Sequence, residues 1–162
     1  MELLLDPVLD ASVRHVWRRL HPAGLPSLAT HEHPSNRPHL TLAAAPELTP
    51  EVTRALAEAL PLPATLDQLV FFEGRTGALA WRAVAGDALR DLQAAVWAAL
   101  DGQERNPLHA PGRWVPHVSL ALRIRPEQQT RAAALLAGLD VAHGEYTQAR
   151  SYDSQSRDVL GF

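Results

Sequence analysis

The sequence predicts a mixed fold of alternating strands and helices that is built from a duplicated unit. Residues 38–42 and 116–120 both read Pro-His-apolar-hydroxyl-Leu, and their histidines lie 117 − 39 = 78 positions apart in a chain of 162 residues. Each copy therefore occupies its own half. An alanine-rich helical pattern follows each copy at nearly the same offset, at residues 53–60 and 130–136, so the repeat extends beyond the motif.

Apolar periodicity, together with proline and capping signals, predicts the individual elements. No long linker separates them, and neither half is expected to close a core alone. The predicted strands cover residues 2–5, 37–43, 66–73, 78–83, 114–124, 141–149 and 158–162, with a short strand at 27–30 and a hairpin turn at 74–77. The predicted helices cover residues 6–20, 49–60, 86–100 and 126–139.

The composition is that of an ordinary globular protein. With 46% hydrophobic and 20% charged residues, residues 1–162 are expected to form a single domain with a sizeable core. A net charge of −3 and a pI near 6.2 predict no broad basic face for long duplex nucleic acid, although a local arginine-lined groove is compatible with them. The sequence has neither a leader pattern nor a long apolar run, so we expect a cytoplasmic protein without a membrane partner. We also expect a monomer.

Two residue types are absent, and each absence excludes a class of chemistry. Without cysteine, the chain has no disulfide, no thiolate nucleophile and no cysteine-ligated zinc. All 15 basic residues are arginine. Without lysine, the chain is not a ligase that works through a lysyl-adenylate, a Walker A nucleotidase or a Schiff-base enzyme. ATP is therefore not expected as a ligation cofactor.

The two motifs predict a shared cleft. Side chains alternate between the two faces of a strand, so His39 and Thr41 point to one side and Leu40 points to the other. The second copy repeats this arrangement with His117 and Ser119. Two imidazoles and two hydroxyls that face each other across a cleft can bind a phosphate and move protons on both sides of it.

Two His-x-Thr/Ser motifs, one in each half and each entering a strand followed by a helix, resemble the two-histidine phosphoesterase superfamily, in particular its bacterial 2′-5′ RNA ligase-like branch. The resemblance covers essentially the whole chain. It implies an α+β fold of two pseudo-twofold lobes, with two antiparallel-type sheets around a central groove and helices packed outside. It also implies metal-free chemistry on 2′,3′-cyclic phosphates or 2′-5′ linkages of a nucleotide or an RNA end.

The motif side chains suit that chemistry. Opening a cyclic phosphodiester needs a base that takes a proton from water and an acid that protonates the departing sugar oxygen on the other side of phosphorus. Histidine serves either role near neutral pH, so one of His39 and His117 is expected to be neutral and the other protonated. The hydroxyls of Thr41 and Ser119 would donate to non-bridging phosphate oxygens. The sequence does not distinguish the base from the acid.

Three arginines close to the motifs are further candidates for substrate binding. Arg37 directly precedes the first motif, and Arg113 and Arg123 flank the second. Each is either a bidentate phosphate ligand or a solvated surface residue. In the 2′-5′ RNA ligase-like branch an arginine often lies three positions after the second hydroxyl residue. Here that position is Leu122, and Arg123 comes one step later.

Trp114 is a fourth substrate-binding candidate. It lies just before the second motif, where it is placed to stack on a nucleobase, as aromatic side chains do in proteins that read single strands. An ordinary hydrophobic contact explains it about as well.

The main rival site is His31-Glu32-His33, whose two histidines and carboxylate are able to begin a metal centre. Four further histidines are potential ligands, namely His15, His21, His109 and His143. However, the spacing fits no helical His-x-x-x-His pattern, and the segment lies in a proline-rich loop where solvent-exposed histidines are the simpler explanation. We therefore expect neither a metal nor another cofactor.

These residues lead to one favoured function and two alternatives. The favoured function is a metal-independent phosphoesterase that hydrolyses 2′,3′-cyclic phosphate or 2′-5′ phosphodiester bonds, with ATP-independent RNA ligation as a secondary activity. The first alternative is a catalytically silent nucleotide- or RNA-binding module with the same groove. The second is a metal-dependent hydrolase that uses His31 and His33.

Overall fold

The computed structural model describes residues 1–74, 77–152 and 159–161. Within these ranges the strands are β1 (Glu2–Leu5), β2 (His39–Thr41), β3 (Leu62–Phe72), β4 (Ala78–Ala83), β5 (His117–Leu122), β6 (Ala142–Tyr152) and β7 (Val159–Gly161). The helices are α1 (Pro7–Leu20), α2 (Pro50–Ala59), α3 (Asp87–Ala99) and α4 (Pro126–Leu135), with short 3-10 turns at Leu28–Thr30 and Pro107–His109. No helix in the described part of the chain is long and apolar enough to span a bilayer.

The helices begin where the sequence places capping residues. Asp6 caps α1, since one oxygen of its carboxylate accepts hydrogen bonds from the N–H groups of Val8 at 2.8 Å and Leu9 at 3.0 Å. Thr49 caps α2 by accepting from the N–H of Val52 at 3.3 Å. The four predicted helices are confirmed, each within a few residues at its ends.

All strand pairs are antiparallel, and the pairs close into a ring. The strand order is β1-β2-β5-β4-β3-β6; β6 then pairs with β1, and β7 is added to β6. The closure depends on the length of β6, whose residues 142–146 pair with β3 and whose residues 146–150 pair with β1. The two predicted antiparallel sheets are therefore continuous with each other. The predicted α+β fold with antiparallel sheets is confirmed.

The two faces of the ring differ in chemistry. On one face, strand residues such as Leu3, Leu40 and Val118 are fully buried, and they belong to one core cluster with Val13 and Trp17 of α1. Burying a leucine contributes about 1.5–3 kcal/mol to folding, which is offset by the entropy lost on ordering the chain. The alternate residues, which include both motif histidines, lie on the opposite face. The core therefore supports the strands that carry the motif.

Two predicted elements differ from the structure. Residues 27–30 contain a 3-10 turn and not a strand, because the Ser27 hydroxyl accepts a hydrogen bond from the N–H of Ala29 at 3.1 Å and so starts a turn. The strand predicted at residues 66–73 begins earlier in the structure, at Leu62, and Pro63 is tolerated near the beginning of the strand. Arg75 and Thr76 of the predicted hairpin turn, and Asp158 and Phe162 of the last predicted strand, lie outside the described residues.

Candidate active site

The register of the motif strands places four side chains on one face. β2 and β5 pair antiparallel through Leu40 and Val118. Continuing that register by one residue in each direction sets His39 opposite Ser119 and Thr41 opposite His117. Directly opposed side chains lie about 5 Å apart at Cβ, and diagonal ones lie about 7–8 Å apart. The two imidazoles are therefore diagonal neighbours, with a hydroxyl opposite each of them.

Each motif strand is held by an indole from the other half of the chain. The indole N–H of Trp114 donates to the backbone carbonyl of Thr41 at 2.9 Å, and that of Trp17 donates to the carbonyl of Ser119 at 3.0 Å. The N–H of Leu42 donates to Met1, and the carbonyl of Pro116 accepts from Ala83, so both groups point away from the space between the motif strands. Because neighbouring residues point their backbone groups to opposite sides of a strand, the carbonyls that accept from the indoles point into that space. The indoles thus fix β2 and β5 relative to each other, although these two strands pair directly over a short stretch only.

The contact with Thr41 also explains Trp114. Its ring is partly buried and packs against the hydrophobic core, while its N–H is satisfied by a carbonyl of the first motif. Trp114 therefore holds the motif strand through this hydrogen bond, and the nucleobase-stacking role stays a prediction.

The imidazole of His39 has a partner at both ring nitrogens. Its Nδ1 lies 2.8 Å from the carbonyl oxygen of Arg37, and its Nε2 lies 3.3 Å from Oε1 of Glu2. Since a carbonyl only accepts, Nδ1 carries a hydrogen. Glu2 belongs to β1, and its side chain is only 10% exposed. A carboxylate thus faces the ring nitrogen of His39 that points away from the backbone.

Glu2 also forms a buried ion pair. Its other carboxylate oxygen lies 2.6 Å from Nε of Arg150, which is directly opposite in the β1–β6 register and whose side chain is 4% exposed. The guanidinium also donates to the carbonyl of Ser35 at 2.9 Å. Removing one partner of such a pair is strongly destabilising, because an uncompensated charge stays in the interior. β1, β6 and the segment before β2 are therefore joined beside His39.

The surroundings of His117 are different. Its Nδ1 donates to the carbonyl of Val115 at 2.7 Å, and its ring centroid lies 4.6 Å from that of Phe72. Burial lowers the pKa of His117; the hydrogen bond to Val115 opposes this effect, and the charge of His39 adds to it. At neutral pH the ring is therefore neutral, and its Nε2 is the nitrogen without a hydrogen.

Two cavities open beside the motif side chains. The first has a volume of about 340 Å³, and its wall contains two motif side chains and two guanidinium groups: His39, Ser119, Arg37 and Arg150. The second, with a volume of about 730 Å³, is lined by Thr41. Glu2 lines both cavities, and each is also lined by a residue of the first motif, His39 or Thr41. Cavities of this size accommodate small-molecule ligands, and the arginines of the first favour an anion.

Residues 5–149 match a family model described as the 2′-5′ RNA ligase superfamily. The match spans most of the chain and includes both motifs. The chain belongs to this superfamily of two-histidine phosphoesterases. The resemblance seen in the sequence is confirmed.

Two further comparisons concern individual proteins. A search of curated proteins returns no match. Among solved structures, Usb1 of Kluyveromyces marxianus, determined with uridine monophosphate, matches over 99% of this chain and 94% of that chain, with a TM-score of 0.53 and 12% sequence identity. At this identity the likeness establishes a shared fold.

The arginines predicted near the motifs fall into two groups. Arg37 lines the cavity beside His39, as predicted for a substrate-binding residue, and Nη1 of its guanidinium lies 3.5 Å from Oε1 of Gln148. Arg113 and Arg123 are exposed, and within the described ranges neither lines the two cavities. Arg123 has a left-handed backbone, with φ of 59°, and Leu122 reaches the cavity instead. The positions of Arg113 and Arg123 therefore do not support the phosphate contacts predicted for them.

The histidines of the rival site do not form a metal centre in the described part of the chain, where no group of three or more histidine, aspartate or glutamate side chains is placed to hold an ion. His31 and His33 line the cavity beside His39. His109 accepts a hydrogen bond from the N–H of Ala44 at 3.1 Å. The exposed His15 and His21 lie on α1 and at its end, and His143 lies on β6.

Sequence reasoning missed Glu2 and Arg150. The two residues are 148 positions apart and meet only because β1 pairs with β6. The sequence contains one signal: in the otherwise apolar strand β1, Glu2 alternates with Leu3 and therefore belongs to the face opposite the core. The buried guanidinium of Arg150, paired with Glu2, lines the same cavity as Leu122, the position where the superfamily often has an arginine.

Proposed function

We propose that the protein is a metal-independent phosphoesterase that hydrolyses 2′,3′-cyclic phosphate or 2′-5′ phosphodiester bonds of nucleotides or RNA ends. One observation carries this proposal: the register of β2 and β5 makes two imidazoles diagonal neighbours, each opposite a hydroxyl, and His39 and Ser119 line a cavity that Arg37 and Arg150 also line. Membership of the superfamily supports phosphoester chemistry. The uridine monophosphate in the solved Usb1 supports a nucleotide as the ligand.

In the proposed reaction the two histidines divide the proton transfers. A neutral imidazole removes a proton from water as the water oxygen attacks phosphorus, and a protonated imidazole donates to the sugar oxygen as its bond to phosphorus breaks. The hydroxyls of Thr41 and Ser119 donate to the non-bridging oxygens, where negative charge increases in the transition state. Water is thereby added across one P–O bond. The two imidazoles exchange protonation states, and proton exchange with solvent restores them.

Ligation is the same reaction in reverse, with the 5′-hydroxyl of a second RNA end joined to a cyclic phosphate. The side chain of His39 is 33% exposed, so water reaches the site. Since water is present at about 55 M, it outcompetes an RNA end unless the bound RNA excludes it. We therefore propose hydrolysis as the main activity and ATP-independent ligation as a secondary one.

The test is hydrolysis of nucleoside 2′,3′-cyclic phosphates and 2′-5′-linked dinucleotides by the purified protein in excess EDTA. We expect turnover in EDTA and its loss in His39→Ala and in His117→Ala. His15→Ala is the matched control, because His15 is an exposed helical histidine far along the chain from either motif.

Each alternative has its own outcome in this test. Loss of activity in EDTA, restored by added divalent metal, would instead favour the metal-dependent hydrolase that uses His31 and His33. Nucleotide binding without turnover of any substrate in the panel would favour the silent binding module. Full activity in His39→Ala would eliminate the paired-histidine mechanism.

A further inference from the structure

We propose that Glu2 is a positioning residue that keeps a proton on Nε2 of His39, which makes His39 the proton donor and leaves His117 as the proton acceptor. The donor and acceptor roles rest on the proposed phosphoesterase activity. The contact between Glu2 and His39 does not depend on it, and the two are tested separately below.

The two oxygen contacts of His39 favour hydrogens on both ring nitrogens. Nδ1 faces the carbonyl oxygen of Arg37 at 2.8 Å, and Nε2 faces Oε1 of Glu2 at 3.3 Å. A carbonyl and an ionised carboxylate are both acceptors only. A neutral imidazole has one hydrogen and would set a lone pair against one of the two oxygens. The imidazolium form satisfies both contacts.

Arg150 keeps Glu2 ionised and in place. Its guanidinium remains charged at any pH that a protein experiences, and it is buried 2.6 Å from the second carboxylate oxygen of Glu2. A further hydrogen bond to the carbonyl of Ser35 fixes the guanidinium. Because the carboxylate is held by Arg150 on one side, its free oxygen is directed toward the imidazole. Glu2 therefore acts on the reaction through His39 and is not expected to touch the substrate.

His117 has no equivalent partner. Among the described residues, His39 is the histidine that has a carboxylate oxygen within 4.0 Å of a ring nitrogen. The Nδ1 of His117 donates to a carbonyl, as that of His39 does, but its ring lies against Phe72. The same motif histidine is thus beside a carboxylate in one copy and beside an aromatic ring in the other. This difference separates the donor from the acceptor.

Other charged and titratable groups also surround His39, and they do not reproduce the effect of Glu2. They come from β6, β5 and the segment before β2: Arg150, Tyr152, His117, Arg37, His31 and His33. The arginines and histidines carry or acquire positive charge, which disfavours an imidazolium. Glu2 is the carboxylate that offsets them.

The test compares the native chain with Glu2→Gln by imidazole nitrogen NMR over a pH series. The amide retains the size of the side chain and removes its charge. Because an opposite charge in contact favours the charged form, we expect His39 to lose its proton at a lower pH in Glu2→Gln than in the native chain. His117 is expected to change little. An unchanged titration of His39 would overturn the proposal, and so would an equal displacement of both histidines.

Two additional variants keep the test decisive. Asp67→Asn is the matched control, because Asp67 also forms an inter-strand ion pair, with Arg82 at 2.9 Å, but next to His117 and not next to His39. It is expected to leave His39 unchanged. If Glu2→Gln alone does not fold because Arg150 is left unpaired, Glu2→Gln combined with Arg150→Met removes both charges. A downward displacement of His39 is still expected, but a smaller one, because a positive charge near the imidazole is removed as well.

The kinetic arm of the test assigns the roles. The rate of a donor–acceptor pair falls at high pH when the donor loses its proton and at low pH when the acceptor gains one. In Glu2→Gln we expect the alkaline limb of the pH–rate profile to move to lower pH and the acid limb to stay. Movement of the acid limb alone would reverse the roles. If no substrate is turned over, the proposed function fails, whereas the NMR result still decides whether Glu2 keeps His39 protonated.

Discussion

The two copies of the motif share one sequence pattern but face opposite arrangements of charge. At the first copy a carboxylate contacts the imidazole and a guanidinium lies behind it, in the order His39, Glu2 and Arg150. At the second copy a guanidinium lies on the next strand and a carboxylate lies behind it, in the order His117, Arg82 and Asp67. The difference arises because the other neighbour of β2 is β1, whereas the other neighbour of β5 is β4. The two copies of the motif therefore have different charged residues beside them, although their own sequences are alike.

The comparison explains how a symmetric repeat supports an asymmetric reaction. Phosphodiester hydrolysis needs one proton donor and one acceptor, whereas two histidines in identical surroundings would titrate alike. In this chain the strands outside the repeat supply the difference. In the proposed reaction the motif copies provide the reacting groups, and Glu2 of β1 with Arg150 of β6 makes His39 the donor.

Removing either imidazole is expected to cause the largest effect. His39→Ala and His117→Ala should each lower kcat/KM for a nucleoside 2′,3′-cyclic phosphate by about 10²–10⁴-fold, because each removes a proton-transfer group. The double variant should be little worse than either single variant, since the two groups act in one step. Steady-state kinetics of the three variants provides the measurement. Independent, multiplicative losses would show that the histidines do not act as a pair.

Removing the hydroxyls is expected to have the next largest effect, and here the two copies should behave alike. Thr41→Val and Ser119→Ala each delete a donor to the non-bridging oxygens while nearly keeping the side-chain volume. We expect kcat to fall by about 10²–10³-fold in each, with little change in the pH–rate profile. A loss at one copy only would mean that a single hydroxyl contacts the phosphate.

The two tryptophans allow the motif copies to be compared by their effect on the free energy of unfolding. Trp17→Phe and Trp114→Phe each leave a motif carbonyl without its indole donor, at a cost of about 1–3 kcal/mol in the free energy of unfolding. Trp17 is 2% exposed and Trp114 is only partly buried, so the larger loss is expected for Trp17. Urea denaturation of the two variants measures both losses. A larger loss in Trp114→Phe would reverse the expected order.

The smallest expected effect is the pH dependence of stability that His117 contributes. Burial lowers its pKa in the folded protein below the ordinary value of about 6.5. The contribution of neutral His117 to the free energy of unfolding is therefore fully present above about pH 6.5. It is lost as the pH falls through the pKa of His117 in the folded protein, because the unfolded chain takes up the proton first. As the pH is lowered below about 6.5, the free energy of unfolding should therefore fall less for His117→Gln than for the native chain.

Asp67 does not interfere with that measurement. Its hydrogen bonds with the Arg82 guanidinium lower its pKa, so its contribution to stability is present above the ordinary carboxyl value of about 3.9 and is lost only below it. The two groups therefore act in separate pH ranges. An unchanged pH dependence in His117→Gln would contradict the environment described for this histidine.

Much of the fold was predictable because its signals are local. The caps at Asp6 and Thr49, the prolines that follow them and the alternation within the motifs determine where elements begin and which side chains face the core. The family also followed from the repeat, since His39 and His117 each begin a strand in their own half. These features depend on residues that are close together in the sequence.

What could not be predicted depends on strands that meet across the chain. Glu2 and Arg150 come together through the β1–β6 pairing, and the ring itself closes because β6 is long enough to pair with two strands. The prediction for Trp114 missed a hydrogen bond to Thr41, a residue 73 positions away. Proximity to a motif in the sequence also favoured Arg123, but its left-handed backbone turns the chain at the end of β5.

The most direct test of the account is a crystal structure of the protein with a nucleoside 2′- or 3′-monophosphate. We predict that one phosphate group contacts Nε2 of both His39 and His117 and the hydroxyls of both Thr41 and Ser119. A phosphate that contacts only one motif copy, or that binds elsewhere on the surface while the motif stays empty, would contradict the central claim that the two copies form one site.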